Sequence, residues 1–302
     1  MIVVTTPTGQ IGRQVVTRLL DAHDASGALA RLRVIARDPA ALSARVRDRV
    51  EVVQGSHADP AVLKEACQGA DRVFWLVPPT PGADSVEGHF RAFTEPLCEI
   101  IAAQGLERVV SVSTLGRGVA RNAGLVSASL AMDEAIASTG VHYRALCPPS
   151  LMENELRQVA SIRDEGVFST TLVLDRVLRL CATRDVAAAA ARLLLDGSWA
   201  GQEDVPLVSS DHLTPEGMAG VLSEVLGRSV RAEFASIAEQ KAKLIRFGAT
   251  EAWARGYADM VDAQNAQGFY GASQPTTPDL APTTFRQWCE EVLKPAVLQS
   301  QN

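Results

Sequence analysis

The sequence predicts an α/β fold: a doubly wound parallel sheet over residues 1–150, with a smaller α+β region over 151–302 capping one end of it. Three observations carry this. Short, near-continuous apolar runs alternate with stretches of helical periodicity through the first 150 residues, as strands covered on both faces do. Such alternation implies right-handed βαβ crossovers and hence a parallel sheet. After Ser150 the alternation breaks up into smaller elements of mixed type.

Residues 2–5 (IVVT) read as a buried strand, after which Ile11, Val15, Val16, Leu19 and Leu20 recur at helical spacing. LRVIAR (32–37) is a second strand, and PAALSARV follows with Pro39 at the first position of a helix. VEVVQG (50–55) is a third strand. In DPAVLKEACQG (59–69) Asp59 caps a helix, Pro60 takes its first position and Gly69 stops it. RVFWLVPP (72–79) is a fourth strand closed by two prolines. A long helix fills 86–104, ERVVSVST (107–114) is a fifth strand, 127–139 is helical and VHYRALCPP (141–149) is a sixth strand.

Beyond Ser150 the sequence predicts a helix over 184–197 and a short strand at 205–211. A helix over 214–227 follows, with Thr214 as cap, Pro215 at its first position, Glu216 in its first turn and Gly227 as stop. A strand in SVRAEFAS, helices over 236–247 and 250–265, a Pro/Thr-rich loop (274–282) and a helix over 283–298 complete the chain. The reading gives a dinucleotide-binding domain at 1–150 and a substrate-capping region at 151–302, partly interleaved with it.

Of the 302 residues 47 % are hydrophobic and 21 % charged, as in a soluble globular protein. The net charge is −6 and no Lys/Arg block stands out, so no nucleic-acid partner is expected. Five cysteines, an odd number without CxxC, fit a reduced, cytoplasmic setting. The five histidines are scattered, without HxH or HxxxH spacing, so no metal site is expected. No apolar run reaches the ~20 residues of a membrane span, and no basic n-region precedes the first strand, so neither a span nor a leader is expected. A monomer and a homodimer both remain open.

A doubly wound sheet binds ligands at the carboxyl ends of its strands. The first such end is TTPTGQIG (5–12), between a strand and a helix. Free N–H groups and the helix dipole hold phosphate there, and a side chain at Gly9 or Gly12 would obstruct the diphosphate or the helix–strand packing. A dinucleotide cradle would carry a further glycine where Thr6 stands. Because Pro7 biases residue 6 toward extended backbone, Thr6 is expected to avoid the left-handed turn. Thr6, Thr8, Gly9, Gln10, Ile11 and Gly12 are therefore the candidate diphosphate site, the alternative being an empty corner of similar shape.

At the end of the second strand Arg37 stands where a carboxylate would hold the ribose hydroxyls of NAD. Its fork of donors suits a 2′-phosphate, so NADPH is expected over NADH, unless Asp38 pairs with Arg37 or Arg37 is a solvated surface charge. The other strand ends add Ser56, His57, Leu76, Val77, Pro78, Ser113, Pro148 and Ser150 as candidate cofactor residues. His89 and Phe90, with Leu151 and Asn154, are candidate substrate residues.

These blocks resemble the NmrA-like branch of the atypical short-chain dehydrogenases/reductases. TPTGQIGRQVVTRLL resembles that family's GATGxxGxxVVxxLL opening, and VIARDPAAL its VRDPxK segment. VEVVQGSHADPAVLKEACQGADRVFWLVPP is similar to its third-strand block and ERVVSVSTLG to its fifth strand. MDEAIASTGVHYRALCPPSLMEN, ATRDVAAAAARLL and LTPEGMAGVLSEVLGRSV resemble later blocks in the same order. The resemblance implies a Rossmann-like fold, an NADP cofactor and a place near NADPH-dependent quinone reductases, with aromatic-polyketide tailoring as one setting. Three positions depart from the pattern: Thr6 replaces the first glycine, Ser56 (followed by His57) replaces the Asp after strand three, a place expected beside the adenine, and Cys147 stands for the Arg before the Pro.

An ordinary short-chain reductase uses Ser, Tyr and Lys. Tyrosine occurs here only at 143, 257 and 270, and the helix that would carry YxxxK reads SASLAMDEA (127–135). Ser113 stands where the family's serine stands, as a carbonyl hydrogen-bonder or a turn cap. Asp133 and Glu134 fall on a helix near the cleft, Glu134 corresponding to a family glutamate expected to cap or pack. Tyr143 lies inside a strand and is expected in the core. Trp75, Phe90, Trp253, Tyr257, Phe269 and Tyr270 are aromatic walls or core. The resemblance thus implies an NAD(P)H-dependent reductase of a quinone or conjugated aromatic carbonyl that lacks the Tyr–Lys pair; the alternative is a non-catalytic NADP-sensing regulatory or accessory protein.

Overall fold

The computed structural model describes residues 1–27 and 31–299. The predicted strands β1 (Ile2–Val4), β2 (Leu32–Ala36), β3 (Glu51–Gln54), β4 (Arg72–Trp75), β5 (Arg108–Val112) and β6 (His142–Cys147) form one sheet. With β10 (Gln202–Pro206) at the edge it has seven strands in the order β10-β6-β5-β4-β1-β2-β3. Every pairing is parallel. The fold class predicted from the sequence is therefore the one observed.

The intervening helices are α1 (Gln10–Ser26), α2 (Ala44–Arg47), α3 (Pro60–Cys67), α4 (Val86–Gln104) and α5 (Leu125–Ser138). One face of the sheet is sealed by α1 and α7 (Thr183–Leu195), where Val15, Val16 and Leu19 meet Val186, Ala190 and Leu194. The other face is sealed by α3, α4 and α5 through Leu63, Leu97, Ile100, Met132 and Ile136. Removing this apolar area from water is the main stabilising term. Asp59 caps α3 as expected, accepting from the Ala61 amide at 2.8 Å.

Beyond the sheet lie β7 (Ser150–Leu151), α6 (Val159–Glu165), β8 (Val167–Thr170), β9 (Leu180–Cys181), α8 (Pro215–Leu226), β11 (Arg231–Phe234), α9 (Ile237–Arg246), α10 (Glu251–Gln267), α11 (Phe285–Trp288) and α12 (Lys294–Gln299). β7 pairs with β9 and β8 with β11, both parallel. Their core is built on Met152, Phe168, Leu222, Phe285 and Trp288. α10 lies so close to the start of α5 that a Cβ on Gly124 would come within 2.7 Å of the Gly256 carbonyl carbon.

Three expected elements differ. After Pro39 the chain makes a 3₁₀ turn (Pro39–Ala41) and then the separate α2, because Asp38 caps the turn and Ser43 starts a new helix. The strand expected at 205–211 lies at 202–206, on a polar edge that carries no apolar run. The last helix runs through a π-turn (Cys289–Leu293) ahead of Pro295, where the Lys294 amide bonds the Cys289 carbonyl; proline has no N–H to continue the regular ladder.

Candidate functional site

The carboxyl ends of β1, β2, β4, β5 and β6 form one rim. Thr5 ties two of them: its Oγ1 donates to the Phe74 carbonyl at 3.0 Å and accepts from the Leu76 amide at 3.1 Å. Thr6 then takes φ +50°. The extended conformation expected from Pro7 is thus overturned. Two tertiary demands override the local bias: the Thr6 carbonyl accepts from the Gly9 amide at 3.0 Å, and it lies against Gly12, where a Cβ would sit 2.7 Å from the carbonyl carbon and nearer still to its oxygen. A β-branched residue in this region costs about 1–2 kcal/mol.

Gly9 precedes α1 in an extended conformation, and no side chain caps that helix. Its first-turn amides are therefore without a side-chain acceptor. Thr8, Gly9 and Gln10 are exposed, whereas Ile11 and Gly12 are buried. The Thr6 hydroxyl is buried with no hydrogen-bond partner among the described residues. An uncapped helix start beside an unmatched hydroxyl fits the diphosphate of a dinucleotide.

Arg37 follows β2, exposed to solvent, and among the described residues its guanidinium has no ion-pair partner. The Asp38 carboxylate accepts from the Ala40 amide at 2.9 Å instead of pairing with it. After β3, Ser56 Oγ accepts from the Ala58 amide at 3.2 Å. His57 is buried, its Nε2 donating to the Leu76 carbonyl at 3.0 Å, its ring 5.0 Å from Trp75 and 4.6 Å from Phe93. Burial lowers its pKa to about 4, with the nearby Arg37 and His89 acting in the same direction. It is a neutral wedge under the rim at neutral pH.

Leu76, Val77 and Pro78 are half-buried at the end of β4. His89 Nε2 donates to the Pro78 carbonyl at 2.8 Å and its ring meets Phe90, Phe93 and Trp253 edge-on. Thr250 holds the same loop from the other side: its amide donates to the Pro81 carbonyl at 2.9 Å and its hydroxyl to the Ala83 carbonyl at 2.5 Å. The loop above β4 is therefore fixed to both α4 and α10.

At the end of β5, the Ser113 hydroxyl donates to Asp133 Oδ2. Asp133 also accepts from Tyr143 at 2.5 Å on Oδ1 and from Arg117 Nη2 at 2.8 Å on Oδ2. Arg117 Nε continues to Asp204 Oδ2 at 2.6 Å on edge strand β10, and Tyr143 meets Ser111. Burial raises the Asp133 pKa to about 6 against the pull of its three donors. Tyr143 is buried as expected, but as a member of this network. Glu134 is 74 % exposed and reaches Arg117 at 4.0 Å, so it neither caps nor packs as expected; the buried acid is its neighbour. A signal for Asp133 was present: Val126, Ser129, Asp133 and Ile136 form one buried stripe of α5, and a carboxylate on such a stripe is out of place.

The next residue, Thr114, bonds the Tyr270 hydroxyl from the loop after α10; burial raises that phenol to about 12. At the end of β6, the Pro148 carbonyl accepts from Leu115 at 3.4 Å. Ser150 and Leu151 form β7, and Asn154 accepts from Arg157. Between them Glu153 accepts from the Thr183 amide at 2.9 Å and from Trp288 Nε1 at 3.2 Å. Glu155 is buried, held by Gln158 Nε2 at 2.7 Å, and burial raises its pKa to about 7. All five cysteines are free thiols. Among the described residues no helix is long and apolar enough to cross a membrane.

A family described as NAD(P)H-binding matches residues 7–196. The chain is 31 % identical over 235 residues, 77 % of its length and 76 % of the relative's, to a (4-alkanoyl-5-oxo-2,5-dihydrofuran-3-yl)methyl phosphate reductase of Streptomyces griseus. It is 26 % identical over 262 residues, 86 % of its length and 85 % of the relative's, to quinone oxidoreductase 2 of Escherichia coli. Its fold is shared with the Citrobacter sp. triphenylmethane reductase complexed with NADP(H), at TM-score 0.77 and 23 % identity over 99 % of this chain and 100 % of that one. The matched stretch opens in the loop before α1 and closes just past α7, and the matches bear out the NmrA-like, atypical short-chain dehydrogenase/reductase character read from the sequence: the chain belongs to the NAD(P)H-binding family.

Proposed function

We propose that the protein uses NADPH to reduce a quinone or another conjugated carbonyl compound, such as those met in aromatic-polyketide tailoring. The observation that carries this reading is the start of α1, uncapped and beside the unpartnered Thr6 hydroxyl. There the amides from Thr8 to Gly12 and the Thr6 hydroxyl hold the diphosphate. Arg37, exposed and without an ion pair among the described residues, takes the 2′-phosphate, and Ser56 with the His57 wedge borders the adenine. Leu76, Val77, Pro78, Ser113, Pro148 and Ser150 continue the cofactor's path along the rim. His89, Phe90, Leu151 and Asn154 shape the acceptor's side, under a cap formed by the parts of 151–302 other than α7 and β10, which belong to the sheet layer.

When bound, the nicotinamide supplies a hydride. The chain positions the acceptor and excludes water. A furanone phosphate and a quinone, implied by the names of the two relatives, are both conjugated electrophiles. Reducing a quinone develops a phenolate of low basicity, so the reaction demands less of an acid than an ordinary ketone does, and the missing Tyr–Lys pair is tolerated. The test follows reduced-nicotinamide absorbance with NADPH and a panel of quinones. Loss of absorbance in proportion to enzyme supports the reading. A tight NADPH complex inert to every acceptor overturns it and leaves a non-catalytic NADP-binding protein.

A further inference from the structure

The geometry points to Ser113 and Asp133 as the proton source of the reduction, Ser113 as the group that touches the acceptor's oxygen and Asp133 as the positioning residue that resupplies its proton. This rests on the reductase reading above and assigns what it leaves open. Hydride addition leaves a negative charge on the acceptor, and some group must supply the balancing proton.

The strand ends carry few exchangeable protons. Thr5 is committed to the backbone of β4, and Thr114 to Tyr270. Of these three hydroxyls Ser113 alone donates to a carboxylate. In the arrangement described, Asp133 accepts from Ser113, Tyr143 and Arg117, the pattern of an ionised carboxylate. Protonation reverses one of these bonds. Ser113 is free to turn, accept from Asp133 and donate outward from the end of β5. Tyr143 keeps an alternative partner in Ser111.

The transfer balances as follows. The acceptor gains the two electrons of the hydride; its oxygen forms a bond to the Ser113 proton as the serine O–H breaks. Ser113 takes the Asp133 proton in the same movement, and the new carboxylate is held by Arg117 and Tyr143. Water reprotonates it from the side where Arg117 and Asp204 reach the surface, their side chains being 38 % and 36 % exposed. The charged and titratable groups facing Asp133 are Tyr143 and Cys147 of β6, Arg117 of the β5–α5 loop and Asp204 of β10. From α4, Cys98 bonds the Ala135 carbonyl, and Glu134 points outward. Arg117 is the one cation among them.

The test has two arms. In the apo protein, carbon-13 NMR of labelled aspartate carboxyls, with D133N assigning the signal, should show Asp133 titrating near pH 6 and shifting in S113A. A midpoint below 4 that S113A does not move overturns the coupling. In turnover with NADPH and a quinone, D133N and S113A should each lose about 100-fold in kcat, and D133N should keep its NADPH affinity within about twofold of wild type. The wild-type fall in kcat as pH rises through about 6 should vanish in D133N and return in D133E. If wild type turns over and D133N matches it at every pH, the relay is overturned and the reductase reading stands. If wild type reduces no acceptor, the reductase reading itself falls, and the relay with it.

Discussion

Replacing Glu155 with Gln should stabilise the protein in alkali and change it little in acid. The Glu155 carboxyl is buried, with Gln158 Nε2 as its hydrogen-bond donor, and burial raises its pKa from 4.5 to about 7. One pKa unit corresponds to about 1.4 kcal/mol, so the buried carboxylate costs about 3 kcal/mol once fully ionised. Because the folded value is raised, this contribution to stability is fully present below pH 4.5 and is lost as pH rises through 7. The carboxamide introduced by E155Q fills the same volume and still accepts from Gln158, yet never ionises. Urea unfolding of wild type and E155Q at pH 5 and pH 8.5 should therefore show a gap that widens by about 2–3 kcal/mol in the variant's favour. That is a large part of a typical net stability of about 5–15 kcal/mol. Asp133 also titrates with a raised pKa, but it does so in both proteins and cancels in the difference. A gap that stays constant with pH would show that Glu155 ionises as a solvated carboxylate, and the burial argument would be wrong.

Gly12→Ala drives a Cβ into the Thr6 carbonyl and should abolish NADPH binding in calorimetry; an unchanged Kd would refute the close packing of α1 on the loop. Arg37→Ala should weaken NADPH by about tenfold or more and NADH by less than about twofold in fluorescence titration; equal losses would remove Arg37 from the 2′-phosphate. Thr6→Gly relieves the positive φ and should raise the unfolding free energy by about 1 kcal/mol; a loss would mean that the threonine side chain contributes more than its backbone costs.

Most of the sheet was legible because its signals are local and agree. In α3, Asp59, Pro60 and Gly69 mark both ends, and the apolar positions between them fall on one face. β10 was misplaced because an edge strand need not be apolar: Gln202, Glu203 and Asp204 carry no hydrophobic run, and only pairing with β6 makes them a strand. β7 and β9 have two residues each, too few for any period to show. The error at Thr6 is of another kind. Pro7 does bias its neighbour, but that bias amounts to little against a helix start that must sit flush on the Thr6 carbonyl.

The candidate site is legible where chemistry follows the chain and hidden where it crosses space. Gly9, Gly12 and Arg37 become candidates from their positions after β1 and β2. Ser113 could be found too, but not its partner, which lies 20 residues away on α5. The buried stripe of α5 shows an acid in the wrong company, and a buried acid requires a cation or a proton. The family pattern would place an arginine at 147, where this chain has a cysteine. Here the cation is Arg117, from the loop between β5 and α5, reaching Asp133 and Asp204 together. No spacing rule predicts that, because a guanidinium on a loop can serve any carboxylate within its reach. In the sequence such a site shows only as a deficit, an acid buried without a neighbour to balance it, and that deficit is a reason to examine Asp133 first when the proton donor is sought.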